Sequence, residues 1–217
     1  MIPLWKRVLD LICIAVSLPV VLPVSVFISI GIKLMSRGPI LFRQERIGYQ
    51  GKPFVCLKFR SLKENAPSEK HQDHLRNLIK SGAPLTKLDV VGDPRLIPLG
   101  RLLRASGLDE LPQLINVLKG EMTLVGPRPC TPGEYSLYLP EQKERFNALP
   151  GLTGLWQVSG KNRTTFNEMV DLDIYYARYC SLSLDLKILA RTIWVIGAQI
   201  GELKQKRPTN LVCEKTS

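Results

Sequence analysis

The hydrophobic pattern divides the chain into an apolar start and a mixed remainder. From Val8 to Ile32 the residues are apolar apart from Asp10 and a few serines, and Leu11 to Ile32 carries no charge. A helix of that length could reach across the roughly 30 Å hydrocarbon core of a bilayer. Pro19 and Pro23 fall near the middle of the run. An interior proline lacks an N–H and clashes with the carbonyl four residues back, so a bend or break is expected there. Ser17 and Ser25 are placed to serve backbone groups freed by the prolines.

Beyond the run the pattern changes to short pieces. A short strand-like piece within Arg37 to Gly48 and a second strand, Phe54 to Arg60, read as a hairpin close to the membrane, joined across Gly51-Lys52-Pro53. Lys58 and Arg60 alternate with apolar residues and should emerge on one face. Glu64 to Gly82 is polar and reads as a surface loop or lid. Leu111, Leu114, Ile115 and Leu118 recur at i, i+3, i+4 and i+7, which predicts a helix with one buried face. Proline is tolerated in a first helical turn, so Pro112 puts the start of this helix near Leu108 to Glu110. The helix ends at Lys119-Gly120 and turns into a short strand, Thr123 to Val125. Thr165 to Glu168 has the form of a capping box for a helix through Tyr179. Leu184 to Ile200 is apolar but contains Lys187 and Arg191, so an interfacial or core helix is expected rather than a span.

Charge sharpens this picture. Lys and Arg outnumber Asp and Glu by 30 to 19, a net +11. Such a balance points to nucleic acid, anionic lipid or phosphorylated substrates. The apolar start favours a membrane surface, and no nucleic-acid partner is expected. Lys6 and Arg7 precede the apolar run, and Lys33 and Arg37 follow it. The positive-inside tendency then puts both ends on the cytoplasmic side, as in a re-entrant helix–break–helix. A kinked single-pass anchor competes with this. A signal peptide fits poorly, because the run is too long and lacks a small-residue cleavage site. The five cysteines include no Cys-x-x-Cys pair, which argues against a zinc site or disulfide framework. His71 and His74 are the only histidines and lie in the polar stretch, so a His-based triad has no support.

The candidate chemistry centres on Ser106-Gly107-Leu108-Asp109-Glu110-Leu111-Pro112-Gln113. Two adjacent carboxylates at a helix start sit in the positive field of the helix end, which also holds phosphate on its free N–H groups. Asp109 is then expected at or near the N-cap. Taken alone, the same residues fit an ordinary capping box from Ser106 to Asp109. Arg95, Arg101 and Arg104 form a basic approach to the pair. In Gly126-Pro127-Arg128-Pro129 two prolines stiffen the loop and would fix Arg128 for bidentate contact with phosphate, the alternative being a surface turn.

Together these blocks resemble the bacterial sugar transferases that prime glycan synthesis on a polyprenyl-phosphate carrier, the monotopic phosphoglycosyl transferases. The motifs in order are Lys6-Arg7-x-x-Asp10, Arg43-Gln44-Glu45-Arg46-x-Gly48, Lys58-Phe59-Arg60, Leu108 to Gln113, Gly126 to Pro129, Pro150-Gly151-Leu152-Thr153-Gly154 and Leu184-Asp185-Leu186-Lys187. The resemblance implies an Asp-Glu dyad in which Asp109 is the covalent nucleophile and Glu110 binds Mg²⁺. It implies phosphate contacts from Arg104 and Arg128, and Lys58 and Arg60 join them as candidate phosphate ligands. It further implies a UDP-sugar donor, an undecaprenyl-phosphate acceptor and inner-membrane lipid as partners, at the cytoplasmic face of the bacterial inner membrane. The family often has Ser-Pro at the membrane break, where this chain has Leu22-Pro23.

The fold expected is α/β and mainly helical. It comprises a re-entrant membrane helix over 1–36, a catalytic domain over 37–202 with interfacial helices and a small hairpin at the active site, and a polar tail over 203–217. A homodimer is left open. The competing function class is a membrane-bound basic module that binds lipid or nucleotide without transfer.

Overall fold

The computed structural model describes residues 3–63, 83–84, 95–160 and 164–205. The expected lid over Glu64 to Gly82, with His71 and His74, lies outside the described residues, as does the end of the tail. What is described is mostly helical, with a long apolar helix at the start and two small two-stranded sheets.

Helix α1, Leu4–Met35, is a single helical element with Pro19 and Pro23 inside it. The break expected at the prolines does not occur. Each proline removes one donor from the ladder, and the turns on both sides keep the rest. The Ser17 hydroxyl donates to the Ile14 carbonyl at 3.0 Å, and Ser29 to the Ser25 carbonyl at 2.7 Å. Ser17, one of the two serines expected to serve the freed groups, therefore bonds within its own turn, away from the Ala15 and Pro19 carbonyls that the prolines leave.

Only one stripe at each end of α1 is covered. Lys6, Asp10 and Ile14, four residues apart, are buried, as are Ile28 and Ile32. Ile14 joins a core with Cys56, Val117 and Met122. Ile28 and Ile32 join another with Phe59, Ile97 and Leu103. Between them Val16, Leu18, Val20, Leu22, Val26 and Phe27 are exposed. Both ends of the apolar helix thus dock on the same domain, and its middle does not.

Strands β1, Leu41–Ile47, and β2, Pro53–Phe59, form the expected hairpin, in register from Leu41 opposite Phe59 to Ile47 opposite Pro53. Helix α2, Gly100–Ser106, is followed by a single 3-10 turn, Leu108–Glu110, and by helix α3, Gln113–Lys119. The apolar face predicted for α3 is only partly the buried one: Leu111 and Leu114 pack against neighbouring cores, but the other two positions do not. Gln113, Asn116 and Val117 are buried, while Ile115 and Leu118 are exposed. The reason is Asn116, which has no exposed surface. Its side chain accepts from the Leu57 N–H at 3.1 Å and donates to the Val55 carbonyl and to Glu121, each at 2.7 Å. It completes the free edge of β2, and this rotates α3.

Strand β3, Thr123–Val125, pairs in parallel with β4, Gly151–Thr153. Between them lie α4, Pro132–Tyr135, and a 3-10 segment, Glu141–Asn147. Short helix α5, Leu155–Val158, leads to α6, Phe166–Tyr179, which has the expected Thr165–Glu168 capping box. The last helix, α7, Leu182–Gln205, runs past the expected domain end at 202.

Candidate active site

The two carboxylates sit in the connection between α2 and α3. Gly107 closes α2 in the left-handed conformation, φ 73°, which a glycine adopts without a Cβ penalty. The 3-10 turn that follows carries Asp109 and Glu110, and no side chain caps it. The Ser106 hydroxyl instead donates back to the Leu102 carbonyl at 2.8 Å. The capping box anticipated from Ser106 to Asp109 is therefore not formed, and Asp109 is not an N-cap. Both acidic residues are half-buried.

The hairpin brings Lys58 to this turn. Its ammonium donates to Glu110 Oε1 at 2.8 Å, with both side chains partly open to solvent. The contact follows from the strand edge: Asn116 fixes β2 to α3 on one side of the dyad, and Lys58 reaches it from the same strand.

The Gly126 to Pro129 loop carries Arg128, which lies within electrostatic reach of Glu110. It is held at every residue. The Gly126 N–H donates to Thr153, and the Gly151 N–H to Pro127. Arg145 donates to the Arg128 carbonyl at 2.9 Å, Arg46 to the Pro129 carbonyl at 3.2 Å, and the Ile47 N–H to Cys130 at 2.8 Å. The loop packs on the Pro150 to Gly154 segment at backbone distance. A Cβ on Gly126 would meet the Leu149 carbonyl oxygen at 2.2 Å, so a side chain there is excluded. The Arg128 side chain remains about one-third exposed, and its Nη1 lies 3.7 Å from Glu134 Oε1. That is an ion pair without a hydrogen bond, so the planar fork keeps donor capacity for a ligand.

The field of the site is positive. Glu134 is buried, with Arg46 Nη1 at 3.9 Å and Arg128 beside it. Burial alone would raise its carboxyl, but Arg128, Arg46 and the Thr131 N–H outweigh this and hold it below the usual range. Arg128, Arg46, Lys58 and Glu110 all act electrostatically on Cys56, which places them around one region. Burial pushes the Cys130 thiol up to about 12 and raises Cys56 as well, so neither is a nucleophile near neutral pH.

Of the other expected site residues, Arg104 is half-buried in the last turn of α2, five positions before the dyad. Arg60 is placed elsewhere. It is buried and donates to the Arg37 and Ser36 carbonyls at 2.5 and 3.0 Å, tying the exit of α1 to the hairpin. Its guanidinium engages these carbonyls, whereas Lys58 engages Glu110.

Several residues of this region were not anticipated. Glu134 lies in a Thr131-x-x-Glu134 capping box with Pro132 at the helix start, a pattern visible in the sequence. Arg145, 1% exposed, donates to Asp173, the Tyr138 hydroxyl and the Arg128 carbonyl, and no local pattern marks it. Lys6, before the apolar run, and Asp10, inside it, belong to the motif Lys6-Arg7-x-x-Asp10, and both are buried in the domain. The lone acid inside an apolar segment was the available signal.

The family profile described as "Bacterial sugar transferase" matches residues 2–199. The chain belongs to this family. It is 36% identical over 202 residues to an "Undecaprenyl-phosphate galactose phosphotransferase" of Salmonella typhimurium, covering 90% of this chain and 41% of that protein. It is 40% identical over 202 residues to a "UDP-glucose:undecaprenyl-phosphate glucose-1-phosphate transferase" of Caulobacter vibrioides, covering 88% and 69%. It is 36% identical over 188 residues to the "Exopolysaccharide production protein ExoY" of Sinorhizobium fredii, covering 87% and 83%. The chain thus spans less than half of the Salmonella protein and most of ExoY.

Proposed function

We propose that the protein transfers a phospho-sugar from a UDP-sugar to a polyprenyl phosphate, undecaprenyl phosphate by analogy with the relatives' names, as the first membrane step of exopolysaccharide, O-antigen, capsule or glycoprotein glycan synthesis. The observation that carries this reading is the site itself: a half-buried acidic pair with Lys58 bonded to Glu110, and Arg128, on a fully pinned loop, within electrostatic reach of the same carboxylate. A nucleotide diphospho-sugar is a polyanion, and a carboxylate can attack it only where its charge is offset.

In the first step an Asp109 carboxylate oxygen attacks the sugar-bearing phosphorus. The bond from that phosphorus to the bridging oxygen breaks, and UMP leaves with that oxygen. In the second step a phosphate oxygen of the polyprenyl phosphate attacks the same phosphorus, the bond to Asp109 breaks, and the polyprenyl-diphospho-sugar departs. Covalent catalysis splits one hard transfer into two, and lets one site serve a soluble donor and then a lipid acceptor. Arg128, Arg104 and Lys58 bind the donor phosphates.

Mg²⁺ fits the donor set, since carboxylate oxygens suit a hard cation that takes one or two protein ligands and completes its shell with water and phosphate. Among the described residues no group of three or more His, Cys, Asp or Glu forms a ready-made cage. Glu110 would hold the ion, which would offset phosphate charge when bound; Lys58, 2.8 Å from Glu110, offsets the charge of that carboxylate itself. Release of UMP from a panel of UDP-sugars, dependent on polyprenyl phosphate and Mg²⁺, tests the reaction. UMP release without lipid product would favour a hydrolase, and binding without release the non-enzymatic module.

Arg128→Lys keeps the charge but not the planar fork. It should raise the KM for UDP-sugar about tenfold while the protein stays folded and membrane-bound. An unchanged KM would leave Arg128 as a loop residue only.

The membrane helix is proposed to be re-entrant, with the catalytic domain at the cytoplasmic face of the inner membrane. Supporting this, Ile14 and Ile28 are both buried in the same domain. Fourteen helical steps span about 21 Å at 1.5 Å each, short of a roughly 30 Å hydrocarbon core. Exposed Ile115, Leu118 and Leu102 would rest on the same leaflet. With the native cysteines replaced by alanine, a Leu4→Cys protein should resist a membrane-impermeant thiol reagent in intact cells and react after lysis. Labelling of intact cells would leave a single-pass anchor.

A further inference from the structure

The charged start of α1 is not spent on the membrane boundary. Lys6 is 3% exposed, and its ammonium donates to the Val125 carbonyl at 2.8 Å, the Tyr176 hydroxyl at 2.7 Å and Asp185 at 2.5 Å. Tyr176 in turn donates to Asp185 at 2.6 Å. One turn later, Asp10 accepts the Thr123 hydroxyl at 2.8 Å and the Leu124 N–H at 2.9 Å. Arg7, between them, donates to the Val117 and Leu118 carbonyls. These are among the last carbonyls of α3, where the Val117 carbonyl also accepts the Gly120 N–H at 3.0 Å, and a cation there complements the helix dipole.

The targets of these bonds are specific. Thr123, Leu124 and Val125 are the whole of β3, and the next residue begins the Gly126 to Pro129 loop that presents Arg128. Val117 and Leu118 end the helix whose preceding turn carries Asp109 and Glu110. Lys6, Arg7 and Asp10 therefore grip both walls of the site from one helix, across 110 to 119 residues of sequence for Arg7 and Lys6. A charge pair used only to orient a membrane segment would sit in water or at headgroups; this one is enclosed by protein.

We infer that Lys6, Arg7 and Asp10 are positioning residues of the active site: the first two turns of the membrane helix fix the dyad through α3 and Arg128 through β3, so the catalytic centre is complete only when that helix is seated. This rests on the proposed transfer reaction. The two contacts act on different walls and predict different kinetic losses. Arg7→Met frees the end of α3 and should lower kcat by on the order of tenfold to a hundredfold, with the donor KM near that of the parent. Asp10→Leu frees β3 and should mainly raise the donor KM, by about tenfold. Asp10→Asn keeps an acceptor for Leu124 and a polar partner for Thr123, and should restore most of the loss.

The test uses the full chain in lipid nanodiscs, with three readouts: kinetics with UDP-sugar and polyprenyl phosphate, the membrane-bound fraction, and amide hydrogen exchange. Exchange should speed in 113–120 for Arg7→Met and in 123–130 for Asp10→Leu, while the membrane-bound fraction stays at parental level. The inference is overturned if activity falls only in proportion to the membrane-bound fraction, which would return these residues to a topology signal. It is overturned equally if exchange in both segments is unchanged. Should the parent protein turn over no UDP-sugar, the proposed reaction fails, and the exchange measurement still decides whether the helix start holds the two walls.

Discussion

Asp109→Asn is expected to lower phospho-sugar transfer by on the order of a thousandfold or more, because it keeps the shape of the side chain and removes the anionic oxygen proposed to form the covalent bond. The structure makes this substitution informative. Asp109 is the middle residue of a 3-10 turn whose N-cap is Gly107, and asparagine matches aspartate in size and shape there. The fold should therefore persist, and melting temperature and membrane association should match the parent. Glu110→Gln is expected to reduce activity for a different reason: it would weaken the proposed Mg²⁺ binding, and it breaks the charge pair with Lys58, held at 2.8 Å. Mass spectrometry of the parent, quenched with donor and no acceptor, should place a phospho-sugar on Asp109. Near-normal turnover by Asp109→Asn, or an adduct on another residue, would sink the covalent assignment.

Arg145→Met is expected to have the largest effect on stability. Arg145 is buried and ion-paired with Asp173, and it also donates to the Tyr138 hydroxyl and the Arg128 carbonyl. Methionine fills similar space but leaves Asp173 buried without its cation. Breaking a buried pair by removing one member costs about 3–5 kcal/mol. For a chain of this length that corresponds to a fall in Tm of roughly 6–20 °C. Removing both charges, as Arg145→Met with Asp173→Leu, should recover most of the loss, because no charge is then left buried alone. A Tm within a degree or two of the parent for Arg145→Met alone would show that the pair is not carrying the segment between Glu141 and Tyr179.

The hairpin, the capped helix ending at Tyr179 and the short β3 were legible because their signals are local: alternation, a Thr-x-x-Glu box, and Gly120 at the end of a helix. The long apolar helix was equally legible, though not its continuity through Pro19 and Pro23. The orientation of α3 was not. Four apolar residues marked its inner face, yet Ile115 and Leu118 are exposed and Asn116 is buried. Periodicity reports which residues avoid water, and both a core and a membrane surface satisfy that. The burial of Asn116 follows from the unpaired edge of β2, which lies 59 residues away at Leu57.

The same division holds at the candidate site. By itself the sequence determined the kinds of group available: two adjacent carboxylates, an arginine in a proline-stiffened loop, a basic excess and an apolar helix with charges at both ends. Only the tertiary structure decided their work. It set Lys58 against Glu110, sent Arg60 to the exit of α1, and gave Arg128 a carboxylate neighbour in Glu134. It also joined Lys6 to Asp185, 179 residues apart, and so turned the flank of a membrane helix into part of the domain's interior. The physical reason is that a charge in a sequence has a type but no partner. Whether it faces water, lipid or an opposite charge depends on which distant segments fold against it, and burial makes that choice energetically decisive.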